Sequence, residues 1–189
     1  MIKQKSFNYK FKNDHNEDNF FVNKTNFYAF DSLINNNSRF SFLYGPKKSG
    51  KSYLSQIWLK KNNAVKYSSN NYQFPIYGKN NILIDDFLTA DEEKIFHIVN
   101  NCLLNKIKIL ITSQKKLNEI HFKFIDLSSR LKTFSNLEIY QPNDEMLFAI
   151  LTKLLIDKQF IIHSNDIFNY ILRRVDRSYQ GIYEIVNKL

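Results

Sequence analysis

Residues 45–52 read GPKKSGKS and meet the pattern G-x-x-x-x-G-K-[ST] through Gly45, Gly50, Lys51 and Ser52. Two glycines let a short backbone curl so that successive N–H groups, and the N-terminus of the helix that follows, point at one anion. Lys51 would then reach the β and γ oxygens of a bound nucleotide, and Ser52 a magnesium ion. Only four glycines occur in the chain, and two stand in this segment. The candidate site for ADP or ATP is therefore Gly45, Pro46, Lys47, Lys48, Ser49, Gly50, Lys51, Ser52 and Tyr53.

Such a loop needs an acidic partner, and ILIDD at 82–86 supplies one at the C-terminal edge of an apolar run. Asp85 is the candidate Mg2+ residue together with Ser52. Asp86 is placed to orient an attacking water, although acidic pairs after a strand also serve as turn residues. KILIT at 108–112 ends in Thr112, Ser113 and Gln114, polar groups that would face the γ-phosphate if this strand lies beside ILIDD.

Positioning these groups requires strands and helices in alternation. Phe27, Phe30, Leu33 and Ile34 fall at helical spacing within 25–36, and RFSFLY at 39–44 alternates as a strand leading into the loop. The helix after the loop carries Leu54, Ile57 and Trp58 on one face. ILI at 82–84 is a buried parallel strand. Thr89 and Glu92 form a capping box for a helix with Ile95, Phe96, Val99, Cys102 and Leu103 on its apolar face. KILIT is the next strand, a helix covers about 126–133, and LEIY at 137–140 is a last strand. Pro142 marks a change of texture. After it Asn143 caps a helix to about Lys158, Ser164 opens a second to about Val175, and Ser178 a third to Leu189. The expected class is α/β, with a tail at 1–17, an α/β domain at 18–141 and a helical lid at 142–189.

Composition narrows the function classes. The hydrophobic fraction of 43% suffices for a packed core, and one cysteine, Cys102, excludes an internal disulfide. The four histidines are scattered and form no zinc cluster. No segment approaches the length of a membrane span, and the first residues contain no signal-peptide run, so a cytoplasmic protein is expected. A net charge of +9 would suit an acidic partner, yet it comes from lysine spread along an Asn-, Lys-, Ile- and Phe-rich chain, as A·T-rich coding would produce.

Taken together, GPKKSGKS, ILIDD, ITSQ, DLSSRL at 126–131 and the three closing helices resemble the AAA+ ATPases of the replication initiator DnaA, from about Asp18 onward. DEEKIFHIVN at 91–100, IDLSSRL, QPNDEMLFAILTKLL and YILRRVDRS are similar to the alphaproteobacterial form of Hda, the DnaA-related regulatory inactivator. The resemblance implies a five-stranded parallel sheet with a three-helix lid. It also implies a nucleotide-holding regulator that, on the DNA-loaded sliding clamp, stimulates DnaA to hydrolyse ATP and prevents re-initiation. DNA would then be met through the clamp, and the expected partners include a second copy of the chain in a homo-oligomer.

In the family box DLxSRL an arginine finger reaches the neighbouring subunit's nucleotide, and Arg130 occupies that position. A planar cation on the γ-phosphate offsets charge developing in the transition state. The competing assignment is a surface arginine paired with Asp126 on the same helix face. Family members also begin with a clamp-binding peptide, which Gln4, Phe7 and Tyr9 match, with Lys5 in place of the usual leucine. NFFVNKTN at 19–26 looks like the segment that packs on adenine, nominating Phe21 and Val22. The lid arginine that senses the γ-phosphate in DnaA aligns with Gln180, with Arg177 one turn earlier, so own hydrolysis is expected to be weak. The family implies further residues after the third lid helix, so an abbreviated lid is expected. A DnaA-like initiator would need a helix-turn-helix after the lid, a P-loop kinase an acceptor pocket, and an ADP-locked adaptor neither.

Overall fold

The computed structural model describes residues 15–36, 38–68, 80–160 and 166–188. Five strands form one sheet: β1 (Phe40–Tyr44), β2 (Val65–Lys66), β3 (Ile82–Ile84), β4 (Ile109–Ser113) and β5 (Ser135–Glu138). All pairings are parallel, in the order β2-β3-β4-β1-β5. The expected neighbours ILIDD and KILIT do lie side by side, with Ile84 opposite Ile111.

Side chains alternate across each strand, so the apolar runs feed two cores. On one face Phe42, Ile82, Ile84, Ile109 and Ile111 pack against Ile95, Ile98, Val99 and Cys102 of α3 (Glu92–Asn105) and Leu127 and Leu131 of α4 (Ile125–Leu131). On the other, Leu43, Leu83, Leu110 and Leu137 meet α1 (Phe27–Ile34) and the Leu54, Ile57, Trp58 face of α2 (Lys51–Lys61). This is a three-layer α/β/α sandwich.

The lid is α5 (Asp144–Asp157), α6 (Asp166–Leu172) and α7 (Tyr179–Lys188). It has its own core of Leu147, Leu151, Leu155, Phe168, Ile182 and Val186. The lid is joined to the sandwich by the Tyr179 hydroxyl, which donates to the Tyr140 carbonyl at 3.1 Å, and by Asn23 Nδ2, which donates to Asn143 Oδ1 at 2.9 Å.

Three expectations shift. The cap of α3 is Asp91, whose carboxylate accepts from the Glu93 and Lys94 N–H groups; Thr89 instead donates to the Asp86 carbonyl. A carboxylate at the helix N-terminus also favours the macrodipole, which a hydroxyl does not. Strand β5 begins two residues before LEIY, because pairing to β1 sets its bounds and Ser135 and Asn136 are exposed there. The second lid helix spans Asp166–Leu172, and its expected opening residue Ser164 lies outside the described residues. Asn143 and Ser178 cap α5 and α7 as read, accepting from Met146 and Gly181 N–H at 3.0 Å each.

Candidate nucleotide-binding site

The loop joins β1 to α2 at the C-terminal rim of the sheet, where ligands of parallel sheets bind. Its curl is a backbone property. Gly50 sits at φ 91° and Lys48 at φ 65°, in the left-handed region. Gly45 is needed for space, since a Cβ there would lie 2.5 Å from the Ile139 carbonyl oxygen. Gly50 offers no side-chain cap to α2, so the first N–H groups of the helix are left for a ligand.

Lys51 folds back over the loop. Its ammonium donates to the carbonyls of Gly45 at 2.9 Å and Pro46 at 2.6 Å. Burial lowers its pKa from 10.5 to about 8 against the opposing pull of Asp86 and Asp85. A desolvated cation whose hydrogen-bond acceptors among the described residues are all neutral is suited to an arriving phosphate.

Asp85 is the hub of the rim. Its Oδ1 accepts from Thr112 Oγ1 at 2.9 Å and, at 3.4 Å, from Ser52 Oγ; its Oδ2 accepts from Lys66 Nζ at 2.8 Å. Burial alone would raise its pKa, but the hydrogen bonds from Lys66, Thr112 and Ser52 and the Lys66 charge hold it below the usual carboxylate value. Asp86 adopts φ 61°, ψ 74°, a backbone state rare for a non-glycine residue. It is fixed there by its N–H, which donates to Thr112 Oγ1 at 2.8 Å, while its buried Oδ1 has no hydrogen-bond partner among the described residues. A strained residue with an orphaned carboxylate oxygen at a cavity wall is suited to hold a water.

These groups share one cavity of about 200 Å³ lined by Lys47, Lys48, Lys51, Ser52, Asp85, Asp86, Thr112, Ser113 and Gln114. A second cavity, about 360 Å³, continues past Pro46 and Lys47 to the lid, where Gln180, Gly181, Glu184 and Ser178 line it. The loop thus lies between a phosphate-sized pocket and a cleft under the lid. Ser52 and Asp85 offer hard oxygen donors on one side of the pocket, which fits Mg2+, an ion that keeps waters and takes few protein ligands beside phosphate.

Other candidates fall elsewhere. Gln180 lines the lid cleft and donates to Glu184 at 2.6 Å, whereas Arg177 turns away and pairs with Asp144. Arg130 is exposed on α4, outside both cavities, with its guanidinium 5.6 Å from the centre of the Phe96 ring. Among the described residues it makes no ion pair with Asp126. Phe20, which the sequence did not single out, lies on the loop: a Cβ at Gly50 would meet its ring at 3.1 Å, and it stacks on Tyr53 with centroids 5.6 Å apart. Phe21 points outward, 43% exposed, beside Ile156 and Lys153 of the lid, and Val22 is half-buried in neither cavity. Gln4, Phe7 and Tyr9 lie outside the described residues.

The chain matches no protein-family model and no curated protein sequence. Solved structures do match. Domain III of Thermotoga maritima DnaA superposes with a TM-score of 0.75 at 20% identity, covering 94% of this chain and 88% of that one. The fold is that of the DnaA AAA+ domain. AMPPCP-bound DnaA from Aquifex aeolicus matches with a TM-score of 0.70 at 20% identity over 90% of this chain, and DnaA bound to AMPPCP and single-stranded DNA with 0.70 at 21%. This chain spans 64% of the length of the Aquifex protein and 62% of the latter. Among the described residues no helix is long and apolar enough to cross a membrane.

Proposed function

We propose that this chain is an adenine-nucleotide-binding AAA+ regulator of replication initiation that acts on DnaA, as an Hda-type protein does. The observation that carries the reading is a division of labour. Lys51, Ser52, Asp85 and Thr112 converge on one pocket, while Arg130 stands exposed on another helix with no ion pair among the described residues. The AMPPCP-bound DnaA structures share this fold, and AMPPCP is an ATP analogue, which supports ADP or ATP as ligand. Bound Mg2+ would neutralise phosphate charge there, with Ser52 and Asp85 as its protein-side oxygens.

In this reading the nucleotide is a structural effector. Gln180 brings no charge to the lid cleft and Arg177 pairs with Asp144 outside it, so among the described residues no lid cation lines the cleft and own hydrolysis is weak. Arg130 acts in trans on the nucleotide of DnaA, where such a finger contributes on the order of 10³ to 10⁵ in rate. Gln4, Phe7 and Tyr9 dock in extended form on the sliding clamp, which brings the complex to DNA.

The test is ATP hydrolysis by DnaA in the presence of clamp, DNA and this chain. Stimulation is expected from the wild type and its loss from Arg130→Ala. Normal stimulation by the variant refutes the finger. Loss of clamp binding in the Gln4→Ala, Phe7→Ala double variant, with nucleotide binding retained, tests the tail; unchanged clamp affinity removes that part.

A further inference from the structure

Lys66 ends β2, at the same rim of the sheet as Asp85. The β2–β3 register sets Lys66 opposite Leu83, two residues before Asp85, and its ammonium reaches across to Asp85 Oδ2 at 2.8 Å. With Thr112 and Ser52 on Oδ1, both carboxylate oxygens are engaged by protein donors. The residue suited to hold a divalent cation therefore already carries a cation of its own. The two partners differ in freedom: the Asp85 side chain is 15% exposed and pinned, whereas that of Lys66 is 49% exposed and can swing aside. Lys66 is not among the residues that line the phosphate pocket, so its compact ammonium charge balances Asp85 from outside that pocket, on Oδ2.

Resting on the nucleotide-binding reading above, we propose that Lys66 neutralises Asp85 beside the phosphate pocket when no divalent metal does, so that the loop holds adenine nucleotide with little dependence on magnesium. Magnesium must compete with Lys66 for the Asp85 charge. The phosphates are still neutralised without it, because Lys47, Lys48 and Lys51 line the same pocket. A site of this kind retains nucleotide when metal is scarce and is poorly set up for metal-assisted hydrolysis, which is the property of a nucleotide-held regulator.

The experiment is titration of the full chain with a fluorescent ADP derivative, in excess Mg2+ and in excess EDTA, for the wild type, Lys66→Met and Lys66→Arg. The wild-type affinities should agree within about threefold. Lys66→Met keeps the alkyl stem but lacks the charge, and its affinity in EDTA should fall roughly tenfold relative to Mg2+, the scale of one partly screened charge contact. Lys66→Arg should behave as the wild type, and matched thermal melts show that the variants fold. Equal ratios for wild type and Lys66→Met, or a wild-type ratio already above about tenfold, overturn the proposal. Absence of binding in either medium overturns the nucleotide reading itself, whereas binding with an unchanged ratio overturns Lys66 alone.

Discussion

If the Lys51 ammonium is the cation that meets the phosphates, nucleotide affinity must depend on pH in a defined way. Burial brings this lysine to about 8 in the ligand-free protein. A bound phosphate opposite it favours the charged form, so binding takes up a proton whenever Lys51 is neutral beforehand. With a free-state value near 8, about nine-tenths of the groups are charged at pH 7 and about one-tenth at pH 9. Affinity is then flat below about pH 7.5, falls about tenfold between pH 7 and 9, and approaches a tenfold loss per further pH unit. Calorimetry in two buffers of different ionisation enthalpy reads the proton directly, with about half a proton taken up per nucleotide at pH 8. The ligand-free protein carries the complementary signature. Its folded-state value lies below the unfolded 10.5, so the unfolded chain binds more protons between about pH 8 and 10.5, and this group's cost to stability is relieved as pH rises through that window. An affinity that stays constant from pH 7 to 9.5 with no proton uptake refutes the placement of Lys51 on the phosphates.

Thr112→Val removes a hydroxyl that both donates to Asp85 and accepts from the Asp86 N–H, leaving that N–H unpaired in a strained bend; a loss of about 1–3 kcal/mol in urea denaturation is expected. Gly50→Ala forces a side chain onto φ 91° and against the Phe20 ring, so it should lower stability by about 1–2 kcal/mol and weaken nucleotide binding, as melting and titration would show. Gly181→Ala sets a methyl 2.4 Å from the Asp176 carbonyl oxygen; melting should drop by roughly 2–4 °C for each kcal/mol of strain, with the lid cleft altered. Arg130→Ala, on an exposed site outside both cavities, should leave ADP affinity unchanged and cost no more than its exposed contact with the Phe96 ring, about 0.5–1 kcal/mol; a changed ADP affinity would place Arg130 in this chain's own site.

The phosphate loop was legible because its chemistry needs glycine and glycine is scarce here. The apolar strands ILI and KILIT were legible for a related reason: buried on both faces, they carry unbroken runs of large residues. β5 was misplaced because an edge strand with exposed Ser135 and Asn136 has no such run, and its bounds come from pairing with β1. Lys66 could not be singled out among so many lysines, since only the register of a two-residue strand brings it to Asp85. The same holds for Phe20, whose neighbour Phe21 has the same side chain; in an extended segment alternate residues face opposite ways, and packing on Gly50 and Tyr53 decides which faces the loop. Asp91 and Thr89 were both able to cap α3, and only backbone geometry separates them.

In the proposed function the pocket at Lys51, Ser52 and Asp85 holds an adenine nucleotide as a lasting effector. This is tested most directly by releasing and identifying the nucleotide that remains with the purified chain. ADP at close to one per chain is expected, retained through gel filtration and lost in Lys51→Ala. A chain that carries no nucleotide and binds neither ADP nor ATP on titration would contradict it.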